Sequence, residues 1–318
     1  MAVDVGVLVG KAREGDPRSV GRLISLVENA APELREVMAA LAPHAGKARL
    51  IGLTGSPGVG KSTTTSALLS TYRGRGDRVG VLAIDPTSPF SGGALLGDRV
   101  RMQDHALDPG VYIRSMGTRG NLGGVSWATP QAIRVLDAVG CDVVIIETVG
   151  VGQAEVAIAS LADSTVVMLA PGLGDGIQAA KAGILEIADL YVVNKADRDG
   201  ATQTVRDLKS MLTLGEKRAP GDWKPPVLST VSAKNEGITE LVDELDRHHA
   251  WLSDTGELDN RRRRRAAEEI EVLAVTALRE RMGDLRGGEL LGDLADEVLA
   301  GKTDPYAAAD RLVAAVEA

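Results

Sequence analysis

The chain has 318 residues, 44% of them hydrophobic and 25% charged, enough for a large buried core spread over about two domains. One Phe, three Trp and four Tyr leave few platforms for stacking single-stranded nucleic acid, and a net charge of -8 argues against general nucleic-acid or anionic-membrane binding. The single cysteine, Cys141, excludes an intrachain disulfide; with no signal-like leader and no uncharged run long enough to span a bilayer, a cytoplasmic protein is expected.

Residues 1–45 read as helices. Asp16-Pro17 is a start signal, a carboxylate that can accept from the first-turn N–H groups followed by a proline that lacks one. Val20, Leu23, Ile24 and Val27 follow at helical spacing, and Leu34, Val37, Met38 and Leu41 repeat it. So short a segment is expected to pack on the rest of the protein.

From about Lys47 the pattern changes to short apolar runs separated by helical stretches. The runs are Leu50–Leu53, Val79–Ile84, Val111–Ser115, Asp142–Glu147, Ser164–Ala170, Leu190–Val193 and Val227–Val231. Most are continuous rather than alternating, as in parallel strands covered on both faces. The alternation predicts an α/β fold with a doubly wound, mainly parallel sheet over residues 46–252.

Gly55-Ser56-Pro57-Gly58-Val59-Gly60-Lys61-Ser62 fits G-x-x-x-x-G-K-[ST] without a mismatch, follows the first run and opens the helical stretch Thr63–Thr71. Glycines let successive backbone N–H groups approach phosphate oxygens, and a helix N-terminus adds partial positive charge. Lys61 is expected to bridge the β- and γ-phosphates, and the Ser62 hydroxyl to ligate magnesium. Asp85, at the end of the second run, is the best candidate for a further acid near the metal or the attacking water; Asp98 is a weaker one. Glu147-Thr148-Val149-Gly150 resembles the D-x-x-G motif of GTPases with Glu in place of Asp. Glu147 would hold magnesium through water, and the Gly150 N–H would meet the γ-phosphate. Lys61, Asp85 and Glu147 are thus the candidate catalytic residues.

The base is read further on. In Asn194-Lys195-Ala196-Asp197, after the run Leu190–Val193, the aspartate can accept from guanine N1–H and the 2-amino group. Adenine offers no such donor pair, and a buried mismatch of that kind discriminates strongly. The lysine stem covers the base, and the asparagine ties the loop together. Ser232-Ala233-Lys234 matches the second guanine loop, in which a backbone N–H reads the base oxygen. The expected ligands are GTP and GDP with magnesium. Gly-rich loops at Gly117–Gly124 and Pro171–Gln178 also follow strands, on the side where open α/β sheets bind ligands. His105, His248 and His249 have no Cys or acidic companions at ligand spacing, so no transition-metal site is expected.

Ser253-Asp254-Thr255-Gly256 reads as a linker, so residues 253–318 form a helical tail. Arg261 to Arg265 are followed by Glu268, Glu269 and Glu271, and the run reads as a solvated helix start neutralised by its own acids. Asp304-Pro305 opens a last amphipathic helix.

GSPGVGKST at Gly55–Thr63, AIDPTSP at Ala83–Pro89, GGALLGDRVRM at Gly92–Met102, ETVGVGQ at Glu147–Gln153 and NKAD at Asn194–Asp197 together resemble the MeaB/ArgK family of P-loop GTPases, over nearly the whole chain. The loop after Ser115 departs from the family pattern in looking longer, at Arg119-Gly120-Asn121. The resemblance implies a GTPase metallochaperone for an adenosylcobalamin-dependent acyl-CoA mutase, usually methylmalonyl-CoA mutase, which gates cofactor loading and protects the mutase. It also implies a helical N-terminal extension, a helical C-terminal dimerisation arm, and a switch at Gly172–Lys181 whose polar members are Asp175, Gln178 and Lys181. Two rivals are an ATP-dependent protein kinase of the ArgK transport type and a metal-insertion GTPase of the nickel-chaperone kind. The NKAD loop speaks against the first, and one Cys with four His against the second.

Overall fold

Parallel strands need both faces covered, and the seven apolar runs obtain that by pairing into one sheet. The computed structural model describes residues 4–85, 105, 107–117, 128–148, 154–172, 184–214, 219, 221–282 and 289–317. The strands are β1 (Arg49–Thr54), β2 (Val79–Asp85), β3 (Val111–Gly117), β4 (Val143–Thr148), β5 (Ser164–Leu169), β6 (Leu190–Asn194) and β7 (Val227–Thr230). They lie in the order β3-β2-β4-β1-β5-β6-β7, every neighbouring pair parallel. From β1 the chain moves to β2 on one side and later returns to build β5, β6 and β7 on the other. The loop after β1 therefore lies at a point where the winding reverses, the usual ligand crevice of such sheets. Strand ends differ from the apolar runs by one or two residues, because ladder pairing rather than hydrophobicity sets them.

One face is covered by α4 (Lys61–Gly74) and α8 (Ile238–Asp254). Leu68, Leu69, Tyr72, Leu241 and Leu245 are buried there with Ile51, Leu53, Val81 and Ile145. The other face carries α1 (Val5–Arg13), α2 (Pro17–Glu28), α3 (Leu34–Leu41), α5 (Thr129–Ala138) and α6 (Ala154–Leu161). Beyond them, Leu208 of α7 (Ala201–Leu214) packs with Val167, Tyr191 and Val193. The N-terminal helices share the core that contains Leu50, Leu82 and Val144, as their apolar stripes predict. Asp16 caps α2 through the Ser19 N–H at 2.9 Å, and Arg114 of β3 ion-pairs with Glu28 of α2. Asp137 of α5 accepts from the backbone N–H groups of Gly46, Lys47 and Ala48, steering the chain into β1.

The chain divides into two compact units, Met1–Arg262 and Arg263–Ala318. Helix α9 (Glu257–Met282) begins in the first, and the first two residues of its arginine run, Arg261 and Arg262, differ from the expected solvated role, whereas Arg263 and Arg264 are exposed. Arg261 makes two 2.9 Å contacts to the Asp189 carboxylate and a third to the Asp163 carbonyl. Arg262 reaches Asp163 at 3.1 Å and the carbonyls of Gly46 and Ala48. Both aspartates precede strands, so within the first unit Arg261 and Arg262 hold the opening turn of α9 at the end of the sheet opposite the ligand loops. The same cluster gives His248 an acidic neighbour absent from its own stretch of sequence: its Nε2 lies 3.3 Å from Asp189 and its Nδ1 2.7 Å from Ser164 Oγ. Trp223 and Trp251 flank its ring at 4.7 and 5.9 Å.

Burial alone would raise the Asp189 carboxyl, but His248 and Arg261 outweigh it and hold the group below the usual aspartate range. Its stabilising effect is therefore complete above the ordinary aspartate value and fades as pH falls through the lowered one. Asp189→Ala takes the carboxylate from partly exposed Arg261, from buried His248 and from the buried Thr165 N–H, and is expected to cost about 3–5 kcal/mol. Urea unfolding measures the loss; a variant within about 1 kcal/mol of the parent would show the ion pairs to be idle.

In the second unit, α10 (Glu289–Leu299) packs with α11 (Pro305–Glu317), burying Leu294 and Ala308. Asp304 caps α11 through the N–H groups of Tyr306 and Ala307, as its Asp-Pro signal predicts. Among the described residues no helix is long and apolar enough to cross a membrane.

Candidate nucleotide-binding site

The turn from β1 into α4 works only with glycine at its key positions. Gly55 and Gly60 have φ of +140° and +101°; a Cβ on Gly55 would strike the Met168 carbonyl, and one on Gly60 the Asn194 amide. The buried Val59 side chain anchors the loop into the core. Helix α4 opens at Gly60 with no side-chain cap, so its first-turn N–H groups face the loop that a phosphate would occupy. Lys61 is buried, and its ammonium donates to the Gly55 carbonyl at 2.6 Å and the Ser56 carbonyl at 3.1 Å. A cation is thus folded back over the loop.

Glu147 pairs in register with Leu53 of β1 and Ala83 of β2, which carries its side chain to the foot of α4. Only 3% exposed, it accepts from Ser62 Oγ at 2.6 Å and from Thr65 Oγ1 at 2.7 Å. A hydroxyl that spends its proton on a carboxylate keeps its lone pairs. Ser62 and Glu147 therefore present adjacent hard oxygen atoms, a donor set that suits magnesium. Asp85 ends β2 opposite Gly117, two residues beyond Ala83 and hence close to Glu147 along the sheet. Its side chain, with Asp98, Gly150, Asp175, Gln178 and Lys181, lies outside the described residues, as does most of the loop 117–124.

The base-reading loops are tied to the phosphate loop through one side chain. Asn194, at the end of β6, donates to the Val59 carbonyl at 2.8 Å and accepts from Ser232 N at 3.1 Å, Ser232 Oγ at 2.9 Å and Thr230 Oγ1 at 3.1 Å. Lys195, at φ +57°, lays its chain toward the Gly58 carbonyl, 2.6 Å from its ammonium. Ser232, Ala233 and Lys234 form a short 3₁₀ turn, and Lys234 pairs with Asp197 at 3.1 Å. That ammonium holds the exposed Asp197 carboxyl below its usual range, so it is an acceptor at neutral pH. Ser56, Pro57 and Thr63 complete the turn and the first helical turn. Sequence reasoning missed Thr64 and Thr65. Thr64 Oγ1 lies 2.7 Å from Ser232 Oγ, joining α4 to the second guanine loop. The repeated threonines after Ser62, with Thr65 one helical turn on, were the available signal. Among the described residues no group of three or more His, Cys, Asp or Glu is placed to hold a metal ion.

Residues 20–285 match the family model described as methylmalonyl-CoA mutase-associated GTPase MeaB. A protein of Pyrococcus abyssi designated a GTPase is 47% identical over 96% of this chain and 95% of its own length. GTPase ArgK of Escherichia coli is 34% identical over 82% of this chain and 80% of its own. The mitochondrial methylmalonic aciduria type A homolog of Mus musculus is 41% identical, over 67% of this chain and 52% of that protein. A crystal structure titled LAO/AO transport system kinase superposes over the full length of both chains with a TM-score of 0.75 at 23% identity, which shows the shared fold. A phosphate loop, a base-reading loop locked to it by Asn194, and this match over most of the chain place the protein in the MeaB family of P-loop GTPases, which bind guanine nucleotides.

Proposed function

We propose that this chain is a GTP-hydrolysing chaperone that gates the loading of adenosylcobalamin into an acyl-CoA mutase, methylmalonyl-CoA mutase foremost, and protects it. The observation that carries the reading is the Asn194 bridge, which couples base recognition to the phosphate loop within a family named for association with that mutase. The mouse relative, named for methylmalonic aciduria, points the same way.

In this reading backbone N–H groups of the loop between Gly55 and Thr63, Pro57 having none to give, cradle the β-phosphate, and Lys61 turns from the loop carbonyls to the β- and γ-phosphates. Asp197 accepts from guanine N1–H and the 2-amino group, Lys195 covers the base, and the backbone of Ser232–Lys234 reads its carbonyl oxygen. Ser62 and Glu147 would hold magnesium, with Asp85 and Asp98 as further acids; once bound, the ion neutralises charge that develops on the phosphates. Gly150 would sense the γ-phosphate. Asp175, Gln178 and Lys181 would form the switch that reports it to the partner.

The three-part organisation, 1–45, 46–252 and 253–318, gives the last segment to dimerisation. Its α9 exposes Ile270, Leu273 and Leu278 in the second unit, an apolar set that supports a homodimer. A cytoplasmic setting, with neither nucleic acid nor membrane as partner, is consistent with the acidic composition. The Escherichia coli ArgK relative is itself named a GTPase, which speaks against the kinase rival.

A ligand shifts a switch only by its differential affinity for two states. The cognate mutase should therefore bind the GTP form and the GDP form with different affinities and should accelerate hydrolysis. Pull-downs in each nucleotide, with phosphate release measured with and without mutase, check this; equal capture and an unchanged rate would remove the chaperone role while leaving the GTPase intact.

A further inference from the structure

Ser62 and Thr65 stand one helical turn apart on α4, so their hydroxyls share a face. Glu147 reaches that face, and the two hydroxyls divide its carboxylate, Ser62 on Oε1 and Thr65 on Oε2. Thr65 is fully buried. Residues further along the same helix behave differently: Ser70 and Thr71 turn their hydroxyls to backbone carbonyls four residues back. Thr65 spends its proton on Glu147 instead. Glutamate has one more rotatable bond than the aspartate usual at this place, so its carboxylate has more freedom to lose when it serves a cation. A hydrogen bond on the oxygen that Ser62 does not touch removes that freedom.

We propose that Thr65 is a positioning residue for the nucleotide-bound magnesium, fixing the Glu147 carboxylate from the rear so that Oε1 and the Ser62 hydroxyl present one ready-made hard-oxygen set. This rests on the reading of Ser62 and Glu147 as the groups that serve the cation. Outer hydrogen bonds to metal ligands are worth about 10–100-fold in metal affinity, and one on a carboxylate that serves the ion through water belongs at the lower end of that range. The effect should therefore appear in the magnesium dependence of nucleotide retention rather than in base or phosphate recognition.

The test is binding of methylanthraniloyl-GDP to the full chain, by fluorescence, in EDTA and across a magnesium titration. Thr65→Val is expected to raise the half-saturating magnesium concentration about tenfold or more while leaving the affinity in EDTA unchanged, and Thr65→Ser is expected to restore the parent curve. In a Glu147→Gln background, Thr65→Val should add nothing, because its effect passes through the carboxylate. If the valine variant does not fold, Thr65→Ala, which removes the hydroxyl without adding bulk, carries the same comparison. A parent-like magnesium curve, an equal loss in EDTA, or full additivity with Glu147→Gln overturns the proposal. A parent protein that retains the GDP analogue equally with and without magnesium overturns the cation reading beneath it, and the Thr65 assignment with it.

Discussion

Lys61→Ala is expected to weaken GTP binding by roughly 10²–10⁴-fold with the fold intact. The ammonium lies 2.6 Å from the Gly55 carbonyl and 3.1 Å from that of Ser56, within the concavity formed by the loop. Backbone N–H groups can cradle phosphate oxygens, but among the loop's own side chains Lys61 alone carries a positive charge. Each hydrogen bond to a charged group contributes about 1.5–3 kcal/mol, and contacts to two phosphates give about 3–6 kcal/mol, the range stated. The lysine stem fills little of the core, and Val59 and Asn194 fix the loop independently. Circular dichroism should therefore match the parent while titration calorimetry with GTP shows the loss. A variant that still binds within tenfold would relocate the triphosphate away from this loop.

Asp197→Asn is expected to reverse the preference between GTP and XTP. The carboxylate offers two acceptor oxygens, matched to the donor pair of guanine; asparagine offers one acceptor and one donor, matched to the N1–H and 2-oxo group of xanthine. In the variant an amide N–H meets the guanine amino group, and in the parent a carboxylate meets the xanthine oxygen. Each mismatch costs about 1–3 kcal/mol, so the ratio of the two affinities should move by about 10³-fold. Asp197 is exposed and ion-pairs with Lys234 of the second guanine loop, so the substitution leaves the core untouched. Competition between the two nucleotides reads the ratio directly. An unchanged ratio would mean that another loop reads the base.

Local, contiguous signals carried the site. The phosphate loop is one unbroken pattern between a strand and a helix, and its glycines are demanded by backbone geometry that a reader can anticipate from the motif alone. Asn194-Lys195-Ala196-Asp197 stood out for the same reason, and the strand ends where both motifs sit were visible as apolar runs. What stayed hidden depends on contacts between distant segments. The arginine run looked neutral beside Glu268 and Glu269, because nothing near it in sequence reveals that Asp163 and Asp189 precede neighbouring strands and take Arg261 and Arg262. His248 looked alone for the same reason. Thr65 lacks any motif of its own; only the meeting of α4 with β4 gives it a partner. The Asn194 bridge was half legible, since a loop-tying role follows from the motif, while its reach to Val59 and Ser232 needed the packed sheet.

Titration calorimetry of the full chain with GTP and, separately, with ATP, both in magnesium, addresses the central claim most directly. The two ligands share every phosphate contact and differ only in what they present to Asp197, Lys195 and the Ser232–Lys234 turn. The account predicts tight binding of GTP and an affinity for ATP lower by about 10³-fold or more; equal affinities would contradict it.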